Sequence, residues 1–181
     1  MACPDWHDYP KPTITMKSFS ADFNSFQPLL EDHSFSRLFC WRIREGIKHG
    51  VDPQRIARYV QNFWQQSLSN HLKEEEMLLL TNHSCPVIQK VIADHLILCN
   101  RFTEVCSCTD PVDATQLNAL AQLLDEHIQY EEKILFPHLK NTLNRNLLKT
   151  IHSSLTKEKK PSARVKYLYR DEFWKGTQSS L

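Results

Sequence analysis

Residues 69–80, SNHLKEEEMLLL, and 125–139, DEHIQYEEKILFPHL, decide the fold of this chain. Each carries a histidine followed four residues later by a glutamate, His71 with Glu75 and His127 with Glu131, among strong helix formers. A spacing of four places both side chains on one helix face. That face is the apolar one. Ile56, Val60, Phe63 and Ser67 run into His71, Glu75 and Leu78 at steps of three and four, and Leu117, Leu120 and Leu124 run into His127, Glu131 and Ile134 in the same way. A carboxylate buried in such a seam without a cation costs several kcal/mol, so the pattern predicts a metal ion as its partner.

The chain of 181 residues fits one domain with a proper core, and only three glycines disfavour turn-rich β architecture. The alternating apolar runs of hairpins are also missing, which leaves an all-α reading. Lys plus Arg total 22 against 21 for Asp plus Glu, so no global charge footprint for nucleic acid or an anionic membrane exists. Lys157, Lys159 and Lys160 read as a solvated helix end. No apolar run reaches the length of a membrane span and no charged, apolar leader opens the sequence, so a cytoplasmic location is expected. The six cysteines, Cys3, Cys40, Cys85, Cys99, Cys106 and Cys108, form no CxxC pair and mostly stand where a small hydrophobe would serve.

Residues 1–18, with three prolines and no periodicity, are expected to form an extended arm that Trp6 and Tyr9 pin down. Residues 19–140 should fold as an up-down-up-down four-helix bundle, and residues 141–181 as an extra C-terminal helix, to about 156, followed by a docked tail. The first helix is predicted from about Ser20 to Lys48, with Phe26, Leu29, His33, Cys40, Ile43 and Ile47 on one stripe and His49–Gly50 ending it. Asp52 with Pro53 opens a second helix to about Leu80, and TNHSCP, residues 81–86, separates it from a third through Ile88, Val91, His95, Leu98, Cys99 and Phe102. Asp113 with Gln116 reads as the capping box of the fourth helix, which Pro137 is expected to bend or end.

In an antiparallel hairpin, residues equally distant from the turn sit at one height. His33 lies 17 residues before Gly50 and His71 lies 18 after Pro53; His71 lies 10 before Thr81 and His95 lies 9 after Pro86; His95 lies 12 before Ser107 and His127 lies 14 after Asp113. Mismatches of one or two residues amount to about 1.5–3 Å along the axis. All four histidines therefore fall in one layer, one per helix, with Glu75 and Glu131 a turn away. His83 and His138 lie about 16–18 Å farther along and cannot share that layer; like His7, His49 and His152 they read as cap or loop residues. Glu74, Glu76 and Glu132 point away from the seam, toward solvent or a supporting role.

Four imidazoles and two carboxylates are too many for one tetrahedral zinc and suit two octahedral ions bridged by the carboxylates, iron first, with manganese or zinc as substitutes. These residues resemble the hemerythrin-like HHE di-iron domains over about residues 20–140. The two HxxxE segments match that family's motifs, EDHSF (31–35) and ADHLIL (93–98) its single-histidine helices, and EEKILFP (131–137) is typical of it. The resemblance implies a left-handed four-helix bundle around an oxo- or hydroxo-bridged di-iron centre. His33, His71, His95 and His127 would be terminal ligands, and Glu75 and Glu131 bridging carboxylates.

Oxygen-carrying hemerythrins have a further histidine where this chain has Cys99, so four terminal histidines remain and each iron keeps one open position. That set is similar to di-iron proteins of iron-sulfur cluster repair, although here only Cys3 precedes the bundle in place of their N-terminal cysteine pair. The leading expectation is a di-iron protein that binds or reacts with oxygen, nitric oxide or peroxide in stress response or sensing, with a sensor acting through a protein partner. The alternatives are an iron donor or store for cluster-containing partners, a di-iron reductase or oxidase, and a purely structural metallo-bundle. The shared face of each His and Glu pair has a direct check. Glu75→Ala or Glu131→Ala should lower metal content more than Glu74→Ala or Glu132→Ala, because the second pair is rotated by about 100° per residue from the histidine face; equal content in all four variants refutes it.

Overall fold

The computed structural model describes residues 25–80, 82–107, 111–158 and 171–176. The expected arm with Trp6 and Tyr9, the start of the first helix at Ser20, Cys108 and most of the tail lie outside the described residues. The protein is all-α, with no strand among the described residues.

Helix α1 (Gln27–Lys48) buries Leu29, His33, Cys40 and Ile43 of the predicted stripe, with Ser36 beside them, while Ile47 is half-buried. It ends in a Schellman motif: Gly50 takes φ 66°, its N–H donates to the Ile47 carbonyl at 2.9 Å, and the Val51 N–H donates to the Gly46 carbonyl at 3.0 Å. Asp52 then accepts from the Gln54 N–H at 3.1 Å and starts α2 (Pro53–Phe63), which continues through a π-helical turn, Trp64–Leu68, into α3 (Ser69–Leu78). Helix α4 spans Pro86–Ser107. The predicted capping box opens α5 (Ala114–Tyr130), with the Gln116 N–H 2.8 Å from Asp113 Oδ1 and the Asp113 N–H 2.9 Å from Gln116 Oε1. A second π turn, Glu131–Leu135, leads into α6 (Phe136–Thr142). Four rods result, α1, α2–α3, α4 and α5–α6, with α1 packed along α5 and α2 along α4. Helix α7 (Arg145–Glu158) starts a few residues later than expected, where Asn144 Oδ1 accepts the Leu147 N–H at 2.9 Å.

The π turns correct the predicted register. One extra residue in the turn rotates the buried face by one position, so Leu68 and Leu79 are buried where Ser67 and Leu78 were expected. In the same way Leu135 is fully buried and Ile134 is 44% exposed. Pro137 neither ends nor breaks its rod. Its ring would strike the Lys133 carbonyl in a regular α-helix, but that carbonyl lies within the widened turn, where the Phe136 N–H reaches back to Glu131.

Two apolar cores fill the bundle at different heights. One gathers Phe39, Tyr59, Phe63, Leu98, Phe102, Leu117 and Leu124, with Phe39 and Phe63 stacked at 3.9 Å. The other gathers Phe26, Leu29, Leu79, Val91, Leu135 and Phe136 and is covered by Ile151 and Leu155 of α7. On every rod the residues between the two cores are the histidines, and Glu75 and Glu131 with them.

Residues Phe173 and Trp174 plug the end of the first core, Phe173 edge-on to Tyr59 at 5.2 Å and Trp174 beneath the Arg42 guanidinium at 4.0 Å. Arg55 forks onto Asp171 beside them, Nε lying 2.8 Å from Oδ2. Gly46 makes room for Phe173: a Cβ there would stand 2.6 Å from the ring. In an ordinary helix, Gly→Ala gains about 1 kcal/mol. Here the buried ring cannot yield, and overpacking costs about 1–3 kcal/mol. Gly46→Ala should therefore lower the melting temperature by about 2–4 °C, and an unchanged or raised value would show that Phe173 does not dock there.

Candidate metal centre

The six side chains singled out in the sequence meet in the layer between the cores. His33, Glu75 and Glu131 are 0% exposed, His95 1%, His127 3% and His71 7%. Glu75 faces three imidazoles, with His71 Nε2 at 3.4 Å, His95 Nε2 at 3.6 Å and His33 Nε2 at 3.8 Å. Glu131 faces His33 Nε2 at 3.1 Å, His127 Nε2 at 3.4 Å and His95 Nε2 at 3.7 Å. Two sets of donor atoms, each lying within 4.8 Å of one another, could hold an ion: His33, His71, Glu75 and Glu131; and Glu75, His95, His127 and Glu131. The two sets share both glutamates.

The rings are turned inward by groups behind them. His33 Nδ1 donates to Glu132 Oε1 at 3.0 Å, His71 Nδ1 to Asp32 Oδ2 at 3.3 Å and His95 Nδ1 to Glu76 Oε1 at 3.0 Å. An ionised carboxylate only accepts, so each Nδ1 carries a proton and each Nε2 is aimed at the interior. Arg37 fixes Glu132 through two bonds of 2.8 and 3.0 Å. These supports turn carboxylate residues near the ligands in sequence into part of the site. Glu76 and Glu132, for which the sequence left a solvated face or a supporting role open, take the supporting role, whereas Asp32 and Arg37 carry no signal of spacing to the donors.

The donor set fits a cation. His33 Nε2, His95 Nε2, His127 Nε2 and all four oxygens of Glu75 and Glu131 are buried without a hydrogen-bond partner among the described residues. Each such atom costs about 1–3 kcal/mol if nothing satisfies it, and imidazole nitrogen with carboxylate oxygen is a donor chemistry that metal ions satisfy. Cys99 belongs to neither set. It is half-buried on α4, and burial pushes its thiol up despite the opposing charge of nearby His95. His138 pairs instead with Cys85, at 3.2 Å, in the loop before α4.

Compared with protein families, residues 24–139 match the hemerythrin HHE cation binding domain. The chain belongs to this family. No curated protein and no solved structure matches it. The matched span holds all six inward-facing residues, so the His and Glu groups able to hold a metal lie within the family's cation-binding domain.

Before a metal enters, the carboxylates draw protons onto the rings of this hemerythrin-like domain. Burial alone would lower His33, but Glu131, Glu132 and Glu75 hold it well above the ordinary histidine range. Burial likewise opposes charge on His95, yet Glu131 and Glu75 raise it to about 10. His127 goes the other way, lowered by burial that Glu131 and Glu75 do not offset. Despite burial, the surrounding imidazoles hold Glu75 well below the ordinary range and lower Glu131, while His33 and Arg37 bring Glu132 to about 2. At neutral pH, His33 and His95 therefore carry protons that a metal must displace, whereas the glutamates are already ionised. Metal loading should release about two protons per chain, and affinity should rise with pH from neutrality up to about 10, where His95 gives up its proton unaided. Calorimetry in buffers of different ionisation enthalpy checks this; binding heats independent of buffer would refute it.

Proposed function

We propose that this hemerythrin-like chain is a non-haem di-iron protein that binds or reacts with oxygen, nitric oxide or peroxide in a stress-response or sensing role. His33 and His71 hold one iron, His95 and His127 the other, and Glu75 and Glu131 bridge the two. The observation that carries this reading is the sharing of both glutamates between two otherwise separate donor sets. A single ion cannot use six protein donors and stay open to chemistry, whereas two ions each receive two imidazoles and a share of two carboxylates. Mixed nitrogen and oxygen donors favour iron, with manganese or zinc as substitutes.

Iron bound there supplies reversible electron exchange and positions at which a small molecule can bind. The chain's own residues set what can reach it. With no ligand more than 7% exposed and apolar cores on both sides, the layer admits ligands of a few atoms and excludes bulk water. Glu132, Asp32 and Glu76 keep the rings aimed as ligands exchange. Burial also strengthens the negative field of Glu75 and Glu131 on any bound cation.

Native purification from iron-replete cells should yield about two metal ions per chain, mainly iron. Absorption recorded without oxygen should then change on adding oxygen or nitric oxide, and stripping the metal should lower the melting temperature, because only the folded state presents the assembled donors. One zinc per chain, or an iron spectrum indifferent to both gases, would refute the reading.

A further inference from the structure

The supporting carboxylates divide unevenly between the two donor sets. In the set of His33 and His71 both rings are held from behind, by Glu132 and Asp32. In the set of His95 and His127 only one is held, His95 by Glu76. His127 Nδ1 is buried and has no hydrogen-bond partner among the described residues. Its ring is placed by packing, edge-on to His95 with centroids 4.9 Å apart.

A carboxylate on Nδ1–H does three things for a metal-binding imidazole. It fixes the tautomer, locks the ring direction and makes Nε2 a stronger donor, and losing such a partner typically costs about 10–100-fold in metal affinity. Glu75 and Glu131 serve both positions and cancel in the comparison. The number of anchored rings, two against one, is what separates them. From this we infer that the two iron positions are unequal: the His33/His71 position is the tight one, and the His95/His127 position is labile, filled second and emptied first.

The inference rests on the dinuclear reading and deepens it. Iron passed to an acceptor, whether another protein or a chelator, leaves from the His95/His127 side while the His33/His71 iron stays to keep the layer assembled. His127 then acts as the release point, and Asp32 and Glu132 as positioning residues that retain the second ion.

The test uses the full chain loaded with ferrous iron in the absence of oxygen, its stoichiometry measured, and then mixed with excess ferrous chelator. The wild-type chain should release iron in two phases of about equal amplitude whose rates differ about 10–100-fold. Asp32→Asn, which keeps the shape of the side chain and removes its charge, should quicken the slow phase by about tenfold and leave the fast phase alone. Glu76→Gln should quicken only the fast phase. Two irons leaving in one phase, or Asp32→Asn acting on the fast phase, overturns the inference and leaves the dinuclear reading standing. One iron per wild-type chain overturns both. The wild-type measurement needs no variant to fold.

Discussion

Two fully buried carboxylates, Glu75 and Glu131, constrain everything else in this bundle. Neither has a hydrogen-bond partner for either oxygen among the described residues, and each faces three imidazoles at 3.1–3.8 Å. A pair of like charges at this depth opposes folding unless cations or protons enter with them. The apolar cores above and below offset that cost by ordinary burial, at about 1.5–3 kcal/mol for each large side chain. They also fix the height of the layer, since Phe39, Phe63 and Phe102 pack on one side and Leu29, Val91 and Leu135 on the other. Metal binding and folding are thus linked through one set of side chains.

Most of this was legible in the sequence, for a physical reason. A helical ligand pair repeats at the helix period, and antiparallel rods convert distance from a turn into height. Those two regularities placed His33, His71, His95 and His127 together without any tertiary information, and the caps at Asp52 and Asp113 were local enough to read directly. The π turns were not legible, because nothing in WQQSL or EEKIL departs from a good α-helical sequence. Their effect is a rotation of the buried face by one residue, which is why Leu135 rather than Ile134 reaches the core. Both turns fall beside the layer, one beginning on Glu131 itself, as expected where a helix must aim donors that a straight rod would not.

The contacts that cross between rods were hidden for a different reason. Glu132 and Arg37 are 95 residues apart, and Asp32 and His71 are 39 apart. No local pattern couples such pairs; they become readable only when the heights and rotations of the rods are known. Gly46 is a similar case, since its need for a missing Cβ is set by Phe173, far along the chain. Sequence periodicity therefore reaches the donors of the site, while their supports belong to tertiary structure.

Charge shows why those supports matter. Glu75, Glu131, Glu132, Asp32 and Glu76 bring five carboxylates to the four rings, and Arg37 returns one positive charge. Two divalent ions balance that set; one leaves it strongly negative, and with none the rings of His33 and His95 must gather protons, as their raised pKa values require. The carboxylates that aim the rings are therefore also the charges that cations or protons in the layer must balance, so its assembly and its occupancy are coupled through charge before any movement of the helices is invoked.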